Sequence, residues 1–107
     1  MIAERDISKY KDYFFTNDET CRGVLQMLSL MSNKIRLQIL CLLCEDDFCV
    51  NEIVSIVGGK FSNVSQQLKL LALAGLLTSE KNSKNVSYSL KNQNVKKTIQ
   101  YLRRMFQ

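Results

Sequence analysis

Two sets of side chains in this 107-residue chain could do chemistry: four thiols, and a run of short amides and hydroxyls flanked by lysines. The thiols are Cys21, Cys41, Cys44 and Cys49. There is no histidine, so the commonest general base and the commonest zinc ligand are both missing. Cys41-Leu42-Leu43-Cys44 has the C-x-x-C spacing of a redox dithiol. Such pairs normally sit at a helix N-terminus, where the dipole makes the thiolate easier to form. This pair falls in mid-helix on a stripe of Leu37, Leu40, Cys41 and Cys44, and reads more simply as two small buried hydrophobes. Cys49 stands in the Ser/Thr place of a capping box whose acid is Glu52, three residues on. A cysteine there faces orphan backbone N–H groups at the positive end of a helix, the setting of nucleophilic thiols. The carboxylates of Glu45, Asp46, Asp47 and Glu52 oppose that effect. Cys21 reads as an ordinary half-buried residue. The candidates for a thiol sensor are therefore Cys49, Cys41 and Cys44.

The second set is Ser62, Asn63, Ser65, Gln66 and Gln67. Side chains of this type reach base edges from a helix lying in a major groove, and Asn or Gln can bond adenine in bidentate fashion. Lys60, Lys69, Lys81 and Lys84 flank them and could neutralise phosphates, which positions a protein on DNA without reading its sequence. Taken alone, a polar helix face is as easily a solvated one. The order of the surrounding elements decides between the two. From Asn51 to Leu90 the chain reads NEIVSIVGGKFSNVSQQLKLLALAGLLTSEKNSKNVSYSL. A short apolar-periodic helix over about 50–57 meets Gly58-Gly59, where glycine tolerates the positive φ of a tight reversal. A second helix spans about 62–74, with Val64, Leu68 and Leu71 inward and Asn63, Gln66 and Gln67 outward. Gly75 is placed to end it. Two alternating segments, about 76–81 and 86–90, then flank Asn82-Ser83-Lys84-Asn85 as a hairpin. This is a helix-turn-helix (about 50–74) followed by a wing (about 76–90).

The rest of the chain supports that module. Amphipathic helices are expected over about 19–31 (Val24, Leu25, Leu28, Met31), 34–44 and 92–106 (Val95, Ile99, Leu102, Met105 and Phe106). Another is expected over about 4–15, within an N-terminal extension of about 17 residues. The length fits one domain, 1–107, mainly α with a small β-hairpin wing. A formal charge of +5 and a pI near 9.1 suit nucleic acid. No apolar run approaches the roughly 20 residues of a membrane span, and the N-terminal residues lack an apolar signal-peptide core. A cytoplasmic protein with reduced thiols and no cofactor or metal is expected. A thiol oxidoreductase built on Cys41 and Cys44 would lack both the cis-proline, since the chain has no proline at all, and any βαβ pattern.

Four stretches, LMSNKIRLQILCLL, FCVNEI, SNVSQQLKLLALAGLL and VSYSL, resemble in order and spacing the ArsR/SmtB family of winged-helix repressors. Within that family they are similar to the thiol-sensing HlyU- and BigR-like members. The resemblance covers about 21–106. Gln67 stands where the family commonly has histidine, and Lys60-Phe61 replaces the usual Ser-Gln, so the base preference is its own. The resemblance implies a homodimer formed by the helices at about 18–31 and 92–106, with Val24, Leu28, Ile99 and Leu102 as candidate contacts. It also implies binding to an inverted-repeat operator in double-stranded DNA, and release by an inducer. The family's histidine-containing metal site on the last helix has no counterpart here. Its C-V-C metalloid site reads Cys49-Val50-Asn51, so a thiolate site would have to recruit Cys44 or Cys21. Cys41 resembles the first thiol of the HlyU-like pair, whose partner near the end of the last helix is replaced by Met105-Phe106-Gln107. The alternatives are a thiolate metalloid-responsive repressor, and a winged-helix protein-interaction module without DNA binding.

Overall fold

The structure, a computed structural model, describes residues 4–10 and 19–107. Within the segment expected to form a helix over 4–15, residues 4–7 are irregular and Ser8–Tyr10 is a single 3₁₀ turn. The Asp6 carboxylate accepts from both the amide and the hydroxyl of Ser8, at 3.0 and 2.6 Å. That local side-chain bonding competes with a helix. Residues 11–15 lie outside the described residues.

The elements then run α1 (Glu19–Met31), α2 (Lys34–Leu43), β1 (Phe48–Cys49), α3 (Val50–Val57), α4 (Phe61–Leu73), β2 (Leu77–Asn82), β3 (Asn85–Leu90) and α5 (Gln93–Met105). Each boundary has a local cause. Asn33 caps α2, its side-chain oxygen accepting from the Arg36 amide at 3.0 Å, and Asn92 caps α5 through the Val95 amide at 3.0 Å. Helix α3 stops at Gly58, whose φ of 85° and ψ of 176° only glycine takes readily. Helix α4 ends in a Schellman motif. Gly75, at φ 87°, donates to the Ala72 carbonyl and Leu76 donates to Leu71, both at 3.0 Å.

The sheet is antiparallel with order β1-β3-β2. Its third strand is an addition to the hairpin read from the sequence. Phe48 pairs with Tyr88 and Cys49 with Ser87. Two residues are too short a run to show strand periodicity. The hairpin loop is also tighter than expected. Asn82 and Asn85 pair across it, leaving Ser83-Lys84 as a two-residue turn with Ser83 at φ 54°.

The core is one cluster contributed by every helix and by the sheet. Ile39, Leu40 and Leu43 of α2, Ile53 of α3, and Val64, Leu68 and Leu71 of α4 form its centre. Leu77, Tyr88, Val95 and Ile99 close it from the wing and α5. Helix α2 is central, packing on α1, α3, α4 and α5. Its buried face is Ile39, Leu40, Leu43 and Cys44. Leu37, expected on that face, is exposed and lines an open cavity with residues of α1 and α5.

Candidate nucleic-acid interface and the thiols beside it

Helix α4 sorts its side chains by the 3.6-residue period. Val64, Leu68 and Leu71 enter the core, and Ser62, Asn63, Gln66 and Lys69 are exposed together on the opposite side. Lys60, the residue before the helix, is exposed, as are Lys81 and Lys84 in the wing. Ser65 is half-buried at the edge of this face. A helix with hydroxyls, amides and flanking ammonium groups on one side is thus held rigidly on the core, and a basic hairpin follows it.

Gln67 is not where the sequence pattern put it. It is half-buried and turned toward α2, where the Arg36 guanidinium donates to its Oε1 at 2.9 Å. Its own Nε2 donates to Asn63 Oδ1 at 3.2 Å. Arg36 also donates to the carbonyls of Leu30 (2.8 Å) and Ser29 (3.4 Å) in the last turn of α1. A guanidinium suits that place, because the last helical carbonyls lack intrahelical donors and form the negative end of the dipole. Nothing in the IRLQIL stretch itself singles out Arg36. Its partner is 31 residues away, so no local spacing links them.

The thiols are all free and occupy different settings. Cys44 is buried, with its Sγ 4.0 Å from the Lys96 carbonyl of α5. Burial pushes its thiol above the ordinary cysteine value. Cys41 and Glu45 add to that shift, while Lys96 and Arg103 oppose it. Burial likewise raises Cys41, and Arg103 pulls it the other way. Cys41 is half-buried in the wall between two cavities of about 440 and 400 Å³. Leu37 and Arg103 also line both. Cys49 is the N-cap of α3, as its spacing to Glu52 predicts. Its amide donates to Glu52 Oε1 at 2.9 Å. Hydrogen bonds from the Cys49 backbone and side chain hold the Glu52 carboxyl below its usual value. Cys49 also borders a small cavity of about 120 Å³ shared with Phe61 at the head of α4 and Lys84 of the wing. Among the described residues, no group of three or more His, Cys, Asp or Glu side chains is placed to hold a metal ion.

The candidate dimer contacts divide. Val24 and Leu28 of α1 are exposed, Leu28 by 53%. Leu102 is half-buried against the core. Ile99 is 1% exposed and belongs to the core of its own chain, so it offers a second chain no surface. The turn of α5 that points outward instead presents Tyr101, Met105 and Phe106, the last 86% exposed. Among the described residues no helix is long and apolar enough to cross a membrane.

A rigid helix-turn-helix followed by a basic hairpin defines the winged helix-turn-helix class of DNA-binding regulators. Residues 33–79 match the model of the bacterial regulatory proteins of the arsR family. The transcriptional activator HlyU of Vibrio cholerae is 36% identical over 80 residues, which span 75% of this chain and 74% of that protein. The biofilm growth-associated repressor of Xylella fastidiosa is 30% identical over 73 residues, 68% of this chain and 64% of the repressor. The solved structure of HlyU superposes with a TM-score of 0.79 at 32% identity, over 83% of this chain and 97% of HlyU. That of the Xylella repressor BigR gives 0.78 at 27% identity, over 83% and 91%. The chain belongs to the ArsR family of transcriptional regulators and is HlyU- and BigR-like within it. The family's members are regulators of transcription rather than enzymes.

Proposed function

We propose that the protein is a homodimeric, sequence-specific repressor that binds an inverted-repeat operator and responds to thiol chemistry. The observation that carries the dimer is the apolar surface its helices leave uncovered. Val24, Leu25 and Leu28 of α1, Leu37 of α2, and Tyr101 and Met105 of α5 are all exposed, with Phe106 just beyond α5. Burying such a surface against its two-fold copy would set two α4 helices about one DNA turn apart, so that a palindromic site matches the symmetry of the protein. Lys60, Ser62, Asn63, Ser65, Gln66 and Lys69, with Lys81 and Lys84 from the wing, form the DNA-facing set, and Gln67, turned toward α2, supports Asn63 from behind.

Thiol regulation is supported by position. Cys41 lies beside two cavities, one lined by α2, α3 and α5 and the other by α1, α2 and α5, and Cys49 lies between α3 and the wing. A group added at Cys41 would disturb the proposed dimer face, and one added at Cys49 would press on Phe61 and Lys84. Cys44, buried against α5, has a supporting role at most. The kinship to an activator gives a second reading, in which the same dimer raises transcription. Gel shift on the promoter upstream of its own gene, with and without a persulfide donor, arsenite or zinc, tests binding and inducer. A promoter fusion separates repression from activation. A chain that shifts no promoter fragment in its reduced form sinks the proposal.

A further inference from the structure

We infer that Arg36 fixes the polarity of the base-reading face of α4, so that Asn63 presents a hydrogen-bond donor to the major groove and selects the acceptor edge of guanine. The inference rests on the DNA-facing role proposed for α4. It follows from which groups can donate and which can accept. A guanidinium only donates, so the Gln67 amide at 2.9 Å from Arg36 Nη1 must turn its oxygen toward it. That leaves Gln67 Nε2 to face Asn63 at 3.2 Å, and an NH₂ group can meet only an oxygen there. The oxygen of Asn63 thereby gives one of its two lone pairs to Gln67 and is held along the helix, so the Asn63 NH₂, on the other side of the amide, is the group that leads toward a base. Three side chains in series thus remove the freedom of a surface asparagine to flip. The series is anchored, because Arg36 is itself held by the Leu30 and Ser29 carbonyls at the end of α1.

An amide free to choose would bond adenine through N6 and N7, donating and accepting at once. An amide whose oxygen is already engaged matches an edge that only accepts, and guanine offers N7 and O6 together in the major groove. Arg36 is therefore a positioning residue that touches no base, and Asn63 is the residue that does.

The test is binding to a randomised duplex pool, followed by affinity for the selected site with guanine replaced by 7-deazaguanine. The wild type should select a guanine in each half-site, and loss of its N7 should weaken binding about tenfold per half-site. Gln67→Glu keeps an acceptor for Arg36 but has no donor for Asn63. It should bind all sequences more weakly and lose the distinction between guanine and 7-deazaguanine. Arg36→Met should lose the same distinction, with folding checked by circular dichroism. Because only the ratio of two affinities is read, a general loss of stability or charge does not mimic the result. Selection of adenine with dependence on its N6 amino group overturns this inference and leaves the DNA-binding reading standing, as does an undiminished guanine ratio in Gln67→Glu. Absence of any sequence-selective binding by the wild type overturns both.

Discussion

At the scale of single residues, burial and surroundings separate three of the four cysteines that composition alone makes equivalent. The thiolate is the nucleophile, so a thiol whose ionisation is disfavoured reacts slowly. Cys44 is buried with Glu45 beside it, and Cys41 is raised by burial with only Arg103 opposing. Cys49 lies at the head of α3 on a short edge strand, bordering a small surface cavity. Brief iodoacetamide treatment of the reduced protein should therefore label Cys49 before Cys41, and Cys44 last, as mapped by mass spectrometry. Labelling of Cys41 ahead of Cys49 would overturn this order. The Cys41–Cys44 pair is spaced like a redox dithiol, yet burial raises both thiols. A C-x-x-C motif favours a redox site where the fold supplies a helix N-terminus, and here, instead of the mid-helix position its stripe suggests, the pair occupies the C-terminal end of α2, with Cys41 in the last turn and Cys44 as the C-cap.

At the scale of elements, the wing and the end of α4 make separable predictions. Lys84 sits in the two-residue turn between β2 and β3, exposed and clear of the core. Lys84→Ala should weaken binding to all DNA sequences alike and reduce the slope of log affinity against log salt by about 1, because a phosphate contact releases counterions without reading bases. A salt titration of wild type and variant checks this, and an unchanged slope would remove Lys84 from the interface. Gly75 ends α4 with φ at 87°, and a Cβ there would meet nothing within 4 Å. The cost of Gly75→Ala is therefore conformational rather than steric, about 1–2 kcal/mol. Urea denaturation should show that loss of stability, whereas Gly23→Ala, in mid-helix, should show a small gain.

At the scale of the whole molecule, the uncovered apolar face is the largest feature the single chain leaves unexplained. Light scattering at micromolar concentration should give the mass of two chains. Leu28→Lys should shift it toward one chain without unfolding it, since Leu28 is 53% exposed and lies outside the buried core. A monomeric wild type would remove the dimer and, with it, the inverted-repeat operator. The Arg103–Glu45 ion pair that ties α5 to the loop after α2 adds little to this. It spans 3.5 Å between exposed groups, and such pairs contribute at most about 1 kcal/mol.

Local chemistry determined most of the architecture. The apolar periods of α1 to α5, the asparagine caps, the Gly58-Gly59 turn, the Gly75 stop and the hairpin are each set by residues within a few positions of one another. A sequence displays such short-range causes directly. What only the tertiary structure decided are the long-range choices. Strand β1 exists because β3 offers Cys49 and Phe48 a ladder some forty residues away. Leu37 is exposed and Ile99 buried, although both lie on apolar stripes, because burial depends on which neighbouring helix covers a stripe and not on the stripe itself. Gln67 turns inward for the same kind of reason: Arg36, distant in sequence and adjacent in space, gives its oxygen a partner that solvent or DNA would otherwise supply.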